Sequence, residues 1–165
     1  MNRVTLLIGG NQGNREQLIE QATVLIQERI GTVVLASGLY ETAPWGSFDK
    51  PQKNFLNRAL VVETTFSPWQ VLRAALAIEA ELGRVRPGGD SISSIPSGAS
   101  RIYSGRPMDI DLIFYDDVVT DTPELTLPHP RMHLRRFVLE PLAEIAPGFR
   151  HPVLGKTVEE MLHEV

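Results

Sequence analysis

Cysteine is absent from this 165-residue sequence, which removes both a disulfide framework and any thiolate metal site. Long apolar runs are absent as well. The opening Met1-Asn2-Arg3-Val4-Thr5-Leu6-Leu7-Ile8-Gly9-Gly10 holds too brief an apolar stretch for a signal-peptide core or a membrane span. A soluble, cytoplasmic protein is therefore expected. Basic charge is not in excess, since 16 Lys and Arg stand against 20 Asp and Glu for a net charge of −4. A duplex nucleic-acid binder normally presents the opposite balance, so neither nucleic acid nor membrane is an expected partner. There is no internal repeat and no heptad run, and the only biased tract is a serine-rich stretch within one loop. With 42% apolar and 22% charged residues, the chain fits one folded domain, residues 1–165, with a substantial core.

Val4–Ile8 is a β-rich run that stops at the turn cluster Gly9-Gly10-Asn11. Leu18, Ala22, Leu25, Ile26 and Ile30 then recur at helical spacing, with Asn14 placed to cap the start and Gly31 to mark the end. Thr32–Tyr40 reads as a second strand, Glu41–Asn54 as a long loop and Phe55–Thr64 as a third strand. Ser67-Pro68-Trp69-Gln70 combines an N-cap, a proline at the first helical position and a glutamine at N3. The helix it opens, Pro68–Leu82, carries Val71, Leu72, Ala75, Ile78 and Leu82 on one side and is expected to end at Gly83. Arg84–Arg106 is rich in Gly, Ser and Pro, a length of loop that in a small domain is functional or disordered. Met108–Tyr115 reads as the fourth strand, turning at Asp116-Asp117. Beyond it Pro128, Pro130, Pro141 and Pro147 divide the chain, with helices expected over Arg136–Ile145 and from the capping box at Thr157-Val158-Glu159-Glu160. The order is βαββαβ plus a helical C-terminal part. That is the split βαβ pattern of a ferredoxin-like α+β fold, an antiparallel sheet with helices on one face. Such a sheet hosts many functions and selects none.

Chemistry concentrates in Arg106-Pro107-Met108-Asp109-Ile110-Asp111-Leu112-Ile113. On a strand, Asp109 and Asp111 point to one face at a spacing of about 7 Å, while Met108, Ile110 and Leu112 point to the other. Paired carboxylates repel unless a cation lies between them, and Mg²⁺ typically takes one or two carboxylates plus substrate phosphates. Alone, an Asp-x-Asp more often marks a solvated strand face. The arginines add context: Arg84 and Arg86 open the long loop and Arg106 closes it, and guanidinium groups match phosphate oxygens. Arg84 and Arg86 also suit the C-terminal end of a helix dipole. His129, held between Pro128 and Pro130, suits a donor aimed at a phosphate or nucleotide, whereas His133 is expected to be solvated. Trp45 and Phe55, with Asn57, could form an aromatic slot for a flat heterocycle, or could be core. No residue reads as a dedicated general base. Two other functions use parts of this set: a metal-dependent phosphoester hydrolase, and a non-enzymatic ligand-binding domain.

In this order the pieces resemble the 6-hydroxymethyl-7,8-dihydropterin pyrophosphokinase family nearly end to end. They are Ile8-Gly9-Gly10-Asn11, Tyr40-Glu41-Thr42-Ala43-Pro44-Trp45-Gly46, Phe55-Leu56-Asn57, Ile78-Glu79, Leu82-Gly83-Arg84-Val85-Arg86 and Arg106 with Asp109-Ile110-Asp111. Pro128-His129-Pro130-Arg131-Met132 and Phe137-Val138-Leu139-Glu140-Pro141-Leu142 complete the set. The resemblance implies transfer of pyrophosphate from ATP to a reduced pterin in folate biosynthesis, with two Mg²⁺ ions held by Asp109 and Asp111. It implies catalytic roles for Arg84, Arg86 and Arg106 beside those aspartates. It implies a pterin site of Thr42, Ala43, Trp45, Phe55, Asn57, Tyr103 and Phe137, and nucleotide contacts from Glu79, Arg84, Arg106, Ile110, His129 and Arg135. The chain departs from the family at Gly10, where a serine is usual, and at Ser104-Gly105, where Gly-Pro is usual before the arginine. No segment reads as a dimer face, so a monomer is expected.

Overall fold

The computed structural model describes residues 1–43, 54–84 and 107–165, the side chain of Arg84 excepted. The elements run β1 (Asn2–Gly10), α1 (Arg15–Arg29), β2 (Thr32–Ala36), β3 (Tyr40–Thr42), β4 (Phe55–Thr64), α2 (Pro68–Arg84) and β5 (Asp109–Tyr115). A short hairpin follows, β6 (Thr120–Asp121) and β7 (Thr126–Leu127), then a 3₁₀ turn (Met132–Leu134), α3 (Arg136–Ile145) and α4 (Val158–Glu164). The main sheet has the order β2-β4-β1-β5, with β3 also on β4, and these pairings are antiparallel. This is the ferredoxin-like arrangement expected from the element order. No helix among the described residues is long and apolar enough to cross a membrane.

Local chemistry sets the helix starts. The Asn14 side chain accepts from the Gln17 N–H at 3.2 Å, and at α2 Ser67 and Gln70 exchange bonds reciprocally at 3.2 and 2.8 Å. Thr157 and Glu160 form the expected capping box, each such cap satisfying amides the helix leaves unpaired. Gly31 follows α1 because its Cα lies against the β4 backbone, and a Cβ there would run into the Glu63 carbonyl. The turn at Asp116 has φ 47° and is pinned to β1 by reciprocal bonds with the Arg3 backbone at 2.9 and 3.0 Å.

Three expectations are corrected. The strand expected over Thr32–Tyr40 is broken at Ser37-Gly38-Leu39, and the paired segment resumes at Tyr40–Thr42, so Glu41 and Thr42 belong to a strand rather than to the loop. Ser37 bridges the break: its N–H donates to the Ala59 carbonyl and its hydroxyl accepts from the Ala59 N–H, both at 2.9 Å. Gly83 does not end α2, which continues to Arg84; a glycine lowers helix propensity without forbidding another turn. The fourth strand starts at Asp109, not Met108, because its ladder with β1 ends at the Gly9–Asp109 pair.

Both faces of the sheet are covered, unequally. Ile19, Ala22, Ile26 and Ile30 of the α1 segment and Val71, Ala75, Ile78 and Leu82 of α2 pack on Val4, Leu6, Ile8, Leu60, Val62, Ile110 and Leu112. Leu18, Leu25 and Leu72, also on the expected apolar sides, are only partly buried against this core. On the opposite face, Val138, Leu139 and Leu142 of α3, with Val158 and Met161 of α4, pack on Leu7, Ala59, Ile113 and Phe114. The C-terminal extension is thus a second layer over part of the sheet. Burying each such side chain contributes roughly 1.5–3 kcal/mol, so its loss would expose β1 and β5 from behind.

Candidate active site

Strand register assembles the site. On the face that α3 and α4 only partly cover, β1 aligns Thr5 with Val61 and Phe114, then Leu7 with Ala59 and Asp111, then Gly9 with Asn57 and Asp109. The surface therefore passes from apolar to polar over three rows. Asp109 and Asp111 share that face as expected, Asp109 half-buried and Asp111 exposed, while Ile110 and Leu112 enter the opposite core. Gly9 lies between Asn57 and Asp109. A Cβ on it would meet the Leu56 carbonyl and Asn57 Oδ1, so the glycine is what lets the Asn57 amide lie across β1.

Asn57 is buried, and its Nδ2 donates to Thr42 Oγ1 at 3.2 Å. Phe55 lies two residues earlier on β4, on the same side of the strand as Asn57, and is half-buried. Ala43 follows Thr42 at the end of β3 and is exposed. Phe137, on the first turn of α3, packs against the second core with the Arg135 guanidinium 5.7 Å from its ring centroid. Pro141 lacks the N–H that would bond the Phe137 carbonyl within the helix.

A second group lies along the outer edge of β5. The Glu79 carboxylate, reaching from α2, accepts from the Ile110 N–H at 2.6 Å. His129 is fastened by its own N–H to the Ile113 carbonyl at 2.9 Å. Its Nδ1 accepts from the Arg131 N–H at 3.2 Å, which leaves Nε2 to carry the proton of the neutral ring and act as donor. Burial, then the charges of Arg135 and Arg131, hold its pKa below the ordinary histidine value, so the neutral form dominates at pH 7. The Arg131 backbone contact to His129 is a loop feature that leaves no periodic signal in the sequence. His133 is not fully solvated: its Nδ1 is buried and unpartnered among the described residues, near His151.

Among the expected site residues, Trp45, Arg86, Tyr103 and Arg106 lie outside the described residues, as does the side chain of Arg84. A polar depression of about 370 Å³, lined by Gly13, Asn14, Arg15, Glu16, Glu41 and Asn54, shares no residue with the Asn57–Gly9–Asp109 row. No cluster of three or more metal-binding His, Cys, Asp or Glu residues occurs among the described residues. A pair of carboxylates fits a hard divalent cation that takes its remaining oxygens from phosphates and water.

Topology and donor set together define a class: a ferredoxin-like α+β domain whose open face ends in a carboxylate pair beside a buried amide. The family model for 7,8-dihydro-6-hydroxymethylpterin-pyrophosphokinase matches residues 5–147, and the chain belongs to that family. Its relatives include 2-amino-4-hydroxy-6-hydroxymethyldihydropteridine pyrophosphokinases of Porphyromonas gingivalis, 37% identical with 90% of this chain and 93% of the relative covered, and Bacillus subtilis, 36% identical with 88% and 79% covered. The folic acid synthesis protein fol1 of Schizosaccharomyces pombe is 34% identical over 99% of this chain, which spans 21% of that protein. Among solved structures, Plasmodium falciparum HPPK-DHPS with pteroate superposes with a TM-score of 0.71 at 15% identity, covering 99% of this chain and 42% of that one. At that identity the likeness concerns the fold.

Proposed function

We propose that the protein transfers the β,γ-pyrophosphoryl group of ATP to the hydroxymethyl oxygen of 6-hydroxymethyl-7,8-dihydropterin. The hydroxymethyl oxygen bonds to the β-phosphorus, the bond from that phosphorus to the α–β bridging oxygen breaks, AMP leaves, and the hydroxyl proton passes to solvent. The row Asn57–Gly9–Asp109, with Asp111 one row away, carries this reading, because it sets a heterocycle-binding amide beside a pair of phosphate-side carboxylates.

Asp109 and Asp111 would hold Mg²⁺ against the triphosphate, which supplies charge neutralisation and a lowered pKa for the attacking hydroxyl. Transfers of this kind depend on positioning and charge compensation. The pterin edge offers donors and acceptors that match the amide of Asn57, which Thr42 holds in one orientation. Phe55 and Phe137, with Ala43, Trp45 and Tyr103, form the apolar walls in this reading. His129, donating from Nε2, and Arg135 face the nucleotide, as do Glu79 and the Ile110 backbone. Arg84, Arg86 and Arg106 offset charge developing on the departing α-phosphate.

The test is AMP formation from ATP and Mg²⁺ with and without 6-hydroxymethyl-7,8-dihydropterin. AMP and the pterin diphosphate are expected in equal amounts, and only when the pterin is present. ATP loss without pterin would instead indicate a hydrolase.

A further inference from the structure

We propose that Glu144 is a positioning residue: its carboxylate clamps α3 to the β2–β3 joint and so sets the gap between Phe137 and the Thr42–Asn57 pair. The inference rests on the pterin reading above. Three hydrogen bonds converge on Glu144. The Gly38 N–H donates to both carboxylate oxygens, at 3.1 and 3.3 Å, and the Tyr40 hydroxyl donates to Oε1 at 2.7 Å. The partners are separated by 106 and 104 residues, so these bonds define tertiary geometry and not a local turn. The Tyr40 pKa is held above the ordinary tyrosine value, first by this hydrogen bond to Glu144.

Each end of the clamp connects to a slot residue through the period of its element. Glu144 lies about two helical turns beyond Phe137 on α3, on the same side of the helix. Tyr40 precedes Thr42 by one strand repeat on β3, on the same face. Thr42 in turn holds the Asn57 amide. A shift of α3 against β3 therefore moves the aromatic wall relative to the amide.

The joint itself is anchored. Ser37 makes two bonds to Ala59 of β4, and its hydroxyl also donates to the Gly38 carbonyl at 2.7 Å, so the joint cannot follow α3 if the helix drifts. Pro141, midway between Phe137 and Glu144, interrupts the hydrogen bonding of α3. The tie at Glu144 holds the part of α3 beyond that missing bond.

Tyr40→Phe, Glu144→Ala, their double variant and Glu144→Gln test the clamp by fluorescence titration of 6-hydroxymethylpterin, in the presence of Mg²⁺ and a non-hydrolysable ATP analogue. Binding of the analogue alone is measured in parallel. Tyr40→Phe and Glu144→Ala are each expected to weaken pterin binding about tenfold, with analogue binding within twofold of wild type. The double variant should be no weaker than the worse single one, because both cut the same contact. Glu144→Gln keeps an acceptor for both donors and should restore most of the affinity. Tyr40→Phe removes one oxygen from an exposed pair, and its melting temperature should stay within about 3 °C of wild type, so a folding defect does not mask the result. Wild-type pterin affinity in Tyr40→Phe and Glu144→Ala, or equal loss of both ligands, overturns the clamp. If the wild-type protein itself binds no pterin, the underlying reading fails and the clamp with it.

Discussion

The two faces of β1, β4 and β5 are made from alternate residues of the same strands, yet they do opposite things. Toward α1 and α2, the rows Leu6 with Leu60 and Leu112, and Val4 with Val62 and Tyr115, are apolar throughout and closed. Toward α3 and α4 the rows change from Val61, Thr5 and Phe114 to Asn57, Gly9 and Asp109 within about 14 Å of strand. One face holds the fold together. The other is covered by the extension at Leu7, Ala59, Ile113 and Phe114 and turns polar at Asn57, Asp109 and Asp111. Carboxylates in place of Leu6 or Leu112 on the closed face would be buried among apolar side chains, at a cost that would destabilise the fold.

This contrast has a sharp consequence. Asp111→Ala should lower turnover on the order of a thousandfold while pterin affinity stays within a few-fold and the melting temperature barely moves, since Asp111 is exposed. Leu6→Ala, in the adjacent row on the closed face and fully buried, should do the reverse. It should cost roughly 2–5 kcal/mol in urea denaturation and leave kcat per folded molecule near wild type. If Asp111→Ala unfolds the protein, or Leu6→Ala abolishes turnover in folded protein, the division of labour between faces is wrong.

A smaller effect should appear at the extension. His151 is buried, and its Nδ1 accepts from the Val153 and Leu154 N–H groups at 3.1 and 3.0 Å. Burial, then the nearby His133, lower its pKa from the ordinary 6.5. Below that value the unfolded chain binds more protons than the folded one, so stability is present above pH 6.5 and is lost as pH falls through the lowered folded pKa. Urea midpoints should therefore decline as the pH falls below 6.5. His151→Asn, which keeps an acceptor at the same place but does not titrate, should flatten that part of the decline.

Much of this was legible in the residues. Alternation in Asp109-Ile110-Asp111-Leu112 separates the carboxylates from the core correctly, and the caps at Asn14, Ser67 and Thr157 mark helix starts that depend only on neighbours in sequence. What was illegible is non-local. The break at Ser37-Gly38-Leu39 is stabilised by Ala59 and Glu144, neither of which leaves a trace in the local pattern, so Thr32–Tyr40 looks continuous. Gly9 reads as a turn glycine, and only strand register reveals that it makes room for the Asn57 amide. The hairpin of β6 and β7 is too short for a period to appear.

The central claim is that the Asp109–Asp111 pair joins a nucleotide triphosphate through a divalent cation. Titration calorimetry of the wild-type protein with a non-hydrolysable ATP analogue tests it directly, once in excess Mg²⁺ and once in chelator. Tight uptake in Mg²⁺ and little or none in chelator is the predicted result; equal affinity in both would contradict it.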